Sequence, residues 1–195
     1  MNSPFLNQPT SKWMEITRKL IEDFPIQKDY LVHTVINSWN DILKTKIAGT
    51  LSIVHDIRPK PQIMGFFLHE IVAHKIEKEN FGKWRKEITA DDKDVVCIFD
   101  SKYSFEIKTS SNKNRIFGNR SYSQETQTDK KSKSGYYLAI NFEAFDNANN
   151  IPNIRLIRFG WIDHIDWQGQ TASSGQQARL STDVETKKLL TIYSK

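Results

Sequence analysis

Through its first third the chain places apolar residues at helical spacing, and beyond Trp84 it abandons that spacing for short β-branched and aromatic runs. This change of period constrains the fold more than any other feature. Trp13, Ile16 and Leu20, then Leu31, Val35, Trp39 and Ile42, each mark one face of a helix, with no period-two alternation among them. Arg58-Pro59-Lys60-Pro61 ends the pattern, because each proline fixes its own backbone and pushes its predecessor out of the helical region. A further helix is expected over Ile63 to Glu79, with Phe67, Ile71 and Ile76 among its apolar residues and a stop near Asn80 to Gly82. Lys93 to Phe99, Tyr103 to Ser110, Tyr136 to Phe142 and Ile154 to Trp161 then read as four strands between Asp, Ser, Asn, Gly or Pro clusters. Asp100-Ser101-Lys102 joins the first two tightly enough to predict an antiparallel hairpin, and Thr182 to Tyr193 is expected to close the chain as a helix.

A length of 195 residues suits one compact domain, 1–195, with a helical region over 1–58 and the remainder, 59–195, as its core. No segment approaches the roughly 18 consecutive apolar residues needed to cross a bilayer. Met1 to Thr10 also lacks the basic start and apolar run of a secretory signal, so the expected location is the cytoplasm, with no membrane partner. Cys97 is the only cysteine, which excludes an internal disulfide and a thiolate zinc site; within Val95-Val96-Cys97-Ile98-Phe99 it reads as a buried strand residue. The formal charge is +5 and unevenly spread. From Lys108 to Lys133 seven basic residues stand against two acidic ones, so this segment alone carries the whole excess. It reads either as a solvated face or as a surface for nucleic acid.

The chemistry is concentrated in Ser104-Phe105-Glu106-Ile107-Lys108-Thr109-Ser110. Strand alternation puts Glu106 and Lys108 on one face and Phe105 and Ile107 on the other. If the hairpin pairs about Ser101, Asp94 lies across from Lys108 and diagonal to Glu106, and a slip of one residue would destroy the facing. Neighbouring carboxylates resist joint ionisation unless a cation lies between them, and oxygen donors favour a hard ion such as Mg2+. Phosphodiester hydrolysis needs such an ion, a water made more nucleophilic, and positive charge where the transition state becomes more negative. Asp94 and Glu106, with the backbone carbonyl of Ile107, are the candidate metal ligands, and Lys108 the group that orients water. Alone, Glu-x-Lys is more often a surface ion pair; the upstream aspartate and the downstream basic segment raise the nuclease reading.

Lys93-Asp94-Val95-Val96-Cys97, Glu106-Ile107-Lys108-Thr109-Ser110-Ser111 and Ile116-Phe117-Gly118-Asn119-Arg120-Ser121-Tyr122 together resemble the ScaI-type family of type II restriction endonucleases, within the PD-(D/E)xK superfamily. The likeness runs from about Pro59-Lys60-Pro61-Gln62 through Gly135-Tyr136-Tyr137-Leu138, Trp161-Ile162-Asp163 and Ser174-Gly175-Gln176-Gln177-Ala178. It implies an α/β fold with a mixed central β-sheet flanked by helices, a homodimer, dependence on Mg2+ with Mn2+ as a substitute, and double-strand cleavage of DNA at a short palindromic site. The chain departs from the superfamily pattern at its nominal proline, where Lys93 stands. Asp91, Asp92 and Asp100 remain rivals for the place of the first acid, and Asp94 fits best by strand position.

Arginine can bridge guanine O6 and N7, and asparagine or glutamine can pair with adenine. Arg115, Asn119, Arg120 and Gln124, with Lys113 and Ser121 beside them, are therefore candidate DNA-binding residues, against the alternative of phosphate contact or loop bracing. Lys130, Lys131 and Lys133 read as phosphate contacts or as nothing more than solvated charge. Glu70, on the helix before the sheet, is a further catalytic candidate, since related nucleases often draw an acid from this helix; its plainer role is a helical pair with His74. His69-Glu70-Ile71-Val72-Ala73-His74 superficially matches a zinc protease motif, but its histidines lie five apart and diverge around a helix. Gln176, Gln177 and Arg179 either reach a DNA groove or cap the final helix. Trp13, Leu20, Val35 and Trp39 serve a dimer interface or the core, the core being the better reading. Two rival functions stay open on sequence alone: a DNA-binding module without catalysis, and a repair or junction nuclease with the same catalytic kit.

Overall fold

The computed structural model describes residues 3–123, 132–146, 150–172 and 175–195. Helices α1 (Trp13–Glu22) and α2 (Lys28–Lys44) fill the first third. The spacing of α2 buries Leu31, Val35, Trp39 and Ile42 along one stripe, and the Trp39 indole N–H donates to the Pro152 carbonyl at 2.7 Å. Trp13, Ile16 and Leu20 of α1 are only half-buried, packed on the same core. A small hairpin of β1 (Lys46–Ile47) and β2 (Leu51–Ser52) follows, where no strand is legible in the sequence. Helix α3 (Pro61–Glu79) starts at a proline, tolerated in the first turn because no amide is needed there. Its buried stripe is Met64, Leu68, Val72 and Ile76, while Phe67 and Ile71 of the expected set are only half-buried. The stripe is rotated because α3 packs against both α2 and the edge of the sheet.

The remaining strands are β3 (Trp84–Lys86), β4 (Val95–Cys97), β5 (Phe105–Ser110), β6 (Phe117–Asn119), β7 (Gly135–Phe142), β8 (Ile154–Ile162), β9 (Gln168–Gly169), β10 (Gln177–Arg179) and β11 (Leu189–Ser194). The central sheet has six strands in the order β11-β8-β7-β5-β4-β3. β5 and β7 run parallel, and the other neighbours antiparallel, which makes the sheet mixed as the family resemblance implies. The four strands expected from sequence are β4, β5, β7 and β8. Cys97 lies buried in β4.

The closing helix over Thr182 to Tyr193 is not formed. Val184–Lys188 makes one wide helical turn, and Leu189–Ser194 becomes the edge strand β11. Pairing with β8, a partner distant in sequence, overrides the local preference of that segment. Gly160 of β8 permits the junction, because a Cβ there would lie 2.0 Å from the Lys188 carbonyl oxygen.

The two faces of the sheet bury different layers. Phe105, Ile107, Tyr136, Leu138, Ile140 and Phe159 face the helices. Tyr137, Ala139 and Ile162 face the other way, onto Ile116, Trp167 and Ala178 beneath a second sheet of three strands, β6-β10-β9. Large side chains buried in full, such as Phe105, Tyr137 and Phe159, each contribute about 1.5–3 kcal/mol to holding these layers together. Since Glu106 pairs with Tyr137 and Lys108 with Ala139, the acid and the amine lie on the second face, away from the helices.

Candidate active site

β4 and β5 pair at Val95 and Phe105, and one further step in that register sets Asp94 opposite Glu106 instead of Lys108. The pairing is thus displaced two residues from the expected one. A two-residue displacement preserves which side chains share a face. Its cause is the connection, which is no tight hairpin turn. Asp100 caps a helical turn over Ser101–Tyr103 by accepting the Lys102 N–H at 3.1 Å, and the Cys97 N–H donates to Ser104 Oγ at 3.0 Å.

Asp94 and Glu106 are both buried, at 6% and 1% exposure, and their surroundings compensate their charge. Asp94 Oδ2 accepts the Ile107 N–H at 2.6 Å and lies 3.1 Å from His69 Nε2. His69 Nδ1 in turn lies 3.2 Å from Glu70 Oε1, so one imidazole connects the acid of the sheet to the acid of α3. Burial works to lower the His69 pKa, but the hydrogen bond and charge of Asp94, aided by Glu70, hold it above the ordinary value. Glu106 lies between two ammonium groups, with Lys93 Nζ 3.5 Å from Oε1 and Lys108 Nζ 3.6 Å from Oε2. Tyr122 completes this side: its hydroxyl accepts from Lys108 Nζ at 2.8 Å and donates to Glu106 Oε2 at 3.2 Å. Burial first, and then the negative charge of Glu106 and Asp94 among others, pushes the neighbouring Tyr137 hydroxyl well above its usual pKa.

His69, Lys93 and Tyr122 are thus members of the cluster that sequence reasoning did not select. Lys93 carried a signal in standing at the nominal proline; its Nζ also donates to the Ser132 carbonyl at 2.5 Å, tying the start of β4 to the approach of β7. His69 was visible only as part of an ill-spaced zinc motif. Glu70 does not pair with His74 as the helical spacing suggested. It binds Lys86 of β3, and that hydrogen bond keeps its carboxyl below the usual range.

The rival acids are engaged elsewhere or lie outside. Asp92 forms a bidentate pair with Arg85, both contacts 2.9 Å, which lowers its pKa strongly, and Asp100 pairs with Lys102 at 2.8 Å. Asp91 is exposed. Of the DNA-binding candidates, Lys113, Arg115, Asn119 and Ser121 are exposed on the loop, strand and turn that follow β5. Arg120 reaches the carbonyls of Ala172 and Gly175, each at 3.4 Å, which is a bracing role. Lys133 donates to the Ser121 carbonyl. Gln124, Lys130 and Lys131 lie outside the described residues. Gln177 and Arg179 cap no helix, since they stand on β10.

A mixed sheet with helices on one face, and with aspartate, glutamate and lysine gathered from adjoining strands on the other, defines a nuclease of the restriction-endonuclease-like fold. Comparison with known proteins places it further. The model of the ScaI restriction endonuclease family matches residues 3–193, and the chain belongs to that family. It is 40% identical to the type II restriction enzyme ScaI of Streptomyces caespitosus over 195 residues, 99% of this chain and 86% of the relative. No solved structure matches it. The chain is a type II restriction endonuclease, which sets aside the inactive DNA-binding module and the structure-reading nuclease. Among the described residues no helix is long and apolar enough to cross a membrane.

Type II restriction enzymes generally need a divalent metal ion, and the residues present fit one. Among the described residues no three His, Cys, Asp or Glu side chains form a ready cage. The available donors are two buried carboxylates and one main-chain oxygen. Because the Ile107 N–H points at Asp94, the Ile107 carbonyl faces the same side, as both groups of a strand residue do. All three donors are hard oxygens, the set that a hard divalent ion favours, and the two carboxylates rest against His69, Lys93 and Lys108, whose charges an incoming ion would have to displace or share.

Proposed function

We propose that this chain makes Mg2+-dependent double-strand cuts at a short palindromic DNA site, with Asp94, Glu106 and the Ile107 carbonyl holding the ion and Mn2+ able to replace it. The observation that carries this reading is the burial of Asp94 and Glu106 in opposed strand positions, each beside a basic group. A bound divalent ion supplies Lewis acidity at the phosphoryl oxygen and lowers the pKa of a bound water. Lys108 orients the attacking water and offsets the charge that grows on the phosphorane-like transition state. Its ammonium is held for that task by the Tyr122 hydroxyl. His69 fixes the Asp94 carboxylate, and Glu70 with Lys86 fixes His69 from behind. Glu70 accordingly acts through His69.

Lys113, Arg115, Asn119 and Ser121 face the DNA in this account, and Arg120 shapes the loop beside them. The enzyme works in the cytoplasm as a homodimer, each subunit cutting one strand, because a two-fold site calls for a two-fold protein. Residues 1–195 form one nuclease domain. The helical region 1–58 contributes Leu31, Val35 and Trp39 to the same core as 59–195, leaving its outer surface for the dimer contact. Digestion of a sequenced plasmid with Mg2+, followed by mapping of the ends, tests the activity: discrete recurring ends support it, and random ends or intact plasmid refute it. Binding to that DNA is expected to weaken by about 10³-fold or more between 50 and 200 mM salt as phosphate counterions are released. A flat salt response in a mobility-shift titration would remove the basic segment from the interface.

A further inference from the structure

The small sheet β6-β10-β9 has an inner and an outer face of opposite character. Ala178 is turned inward onto Trp167 and Ile116, and Gly118 opposite it is buried because a Cβ there would crowd Tyr122 and Trp167 at 3.1–3.3 Å. The neighbours on either side of these two, Asn119, Gln177 and Arg179, must therefore point outward, and all three are exposed. Register places Asn119 beside Gln177 and Gln168 beside Arg179. Gln177 also borders Gln170, whose side-chain oxygen accepts the Gln177 N–H at 3.3 Å.

This outer face lines a cavity of about 910 Å³ shared by Arg115, Gln168, Gln170, Gln177 and Arg179, with no acid among the described residues of its wall. Arginine and amide side chains are the groups whose donor and acceptor patterns match the major-groove edges of guanine and adenine. Among the described residues Arg179 makes no side-chain hydrogen bond or ion pair, unlike Arg120 and Arg85. Position also connects the sheet to the chemistry. Gln177 lines a second cavity together with Thr109 and Ser110, at the end of the strand that carries Glu106 and Lys108. From behind, buried Asn141 holds the carbonyls of Asn112 and Arg115 at 2.9 Å each, and Glu185 accepts the Ile116 N–H at 3.0 Å, so the loop bearing Arg115 is fixed before DNA arrives.

We infer that the outer face of β6-β10-β9 is the base-reading surface of this endonuclease, with Gln177 and Arg179 of β10, joined by Gln168 of β9, as specificity-determining residues in the major groove. The inference rests on the nuclease reading above but fails separately from it. Sheet strands presented to the groove place side chains at fixed spacing, so each residue addresses one base pair.

The test uses the full-length protein and its Arg179→Ala, Gln177→Ala and Lys113→Ala variants on a library of random duplexes. Retained duplexes are sequenced, and plasmid ends are mapped in parallel. Arg179→Ala and Gln177→Ala are expected to lower discrimination roughly 5- to 150-fold at one position in each half-site, leaving the salt slope unchanged. Lys113→Ala is expected to weaken binding to all duplexes alike. An unchanged consensus in both β10 variants, or a uniform loss with a shallower salt slope, would overturn the assignment, as would a wild-type protein that enriches no sequence. A wild-type consensus that both β10 variants relax, accompanied by no cutting, would support the reading surface while refuting the nuclease reading. Both residues are exposed, and a thermal melt of each variant within a few degrees of wild type excludes misfolding as the cause.

Discussion

Lys108→Ala and Glu106→Gln are each expected to lower the rate of the cutting step by on the order of 10²–10⁴-fold, with the fold retained. Lys108 Nζ lies 3.6 Å from Glu106 Oε2 and 2.8 Å from the Tyr122 hydroxyl, so the alanine variant removes an ammonium held beside that oxygen. The amide variant keeps the shape of Glu106 but not its charge, and with it goes one of the two buried carboxylates able to bind the ion. Lys108 is partly exposed and Lys93 still faces Glu106 at 3.5 Å, so truncating Lys108 is expected to cost about 1–3 kcal/mol of stability. Single-turnover cleavage of supercoiled plasmid at saturating Mg2+, beside a thermal melt, separates the two effects. Wild-type rates in either variant would remove the residue from the reaction.

A second large effect lies far from the chemistry. Lys188 is buried at 3% side-chain exposure, with Nζ 3.0 Å from Asp163 Oδ2 and 2.7 Å from Asp166 Oδ2. It also sits 4.5 Å above the rings of both Phe5 and Trp13. Burial lifts the Asp166 carboxyl above its usual pKa even with this partner, which shows how much the pocket disfavours an uncompensated carboxylate. Lys188→Met would leave two acids facing each other without a cation, at a cost of about 3–5 kcal/mol. In a chain of this length that corresponds to a fall in Tm of roughly 6–20 °C. Adding Asp166→Asn is expected to recover part of the loss, and a single variant that melts with the wild type would show that the cluster holds nothing together.

The legible parts of this molecule are those set by local spacing. Alternation along Phe105 to Ser110 suffices to bring Glu106 and Lys108 onto one face, and the stripe of Leu31, Val35, Trp39 and Ile42 suffices for α2. What escapes the sequence depends on partners distant along it. The segment Leu189–Ser194 is a strand because β8 lies beside it, and β6, β9 and β10 are too short to show a period of their own. His69 meets Asp94 only because α3 packs against the edge of the sheet, a contact between residues 25 apart in sequence. The register of β4 and β5 lies two residues from the one a tight hairpin would give, since Asp100 starts a helical turn there. A shift of two preserves parity, and with it the shared face of the acids.

The most direct measurement is a crystal of the protein with DNA and Mn2+, examined by anomalous scattering at the manganese edge. The expected result is a peak in contact with carboxylate oxygens of both Asp94 and Glu106 and with the Ile107 carbonyl. A manganese ion bound elsewhere, or a complex with DNA seated and these two carboxylates still closed on His69, Lys93 and Lys108, would contradict it.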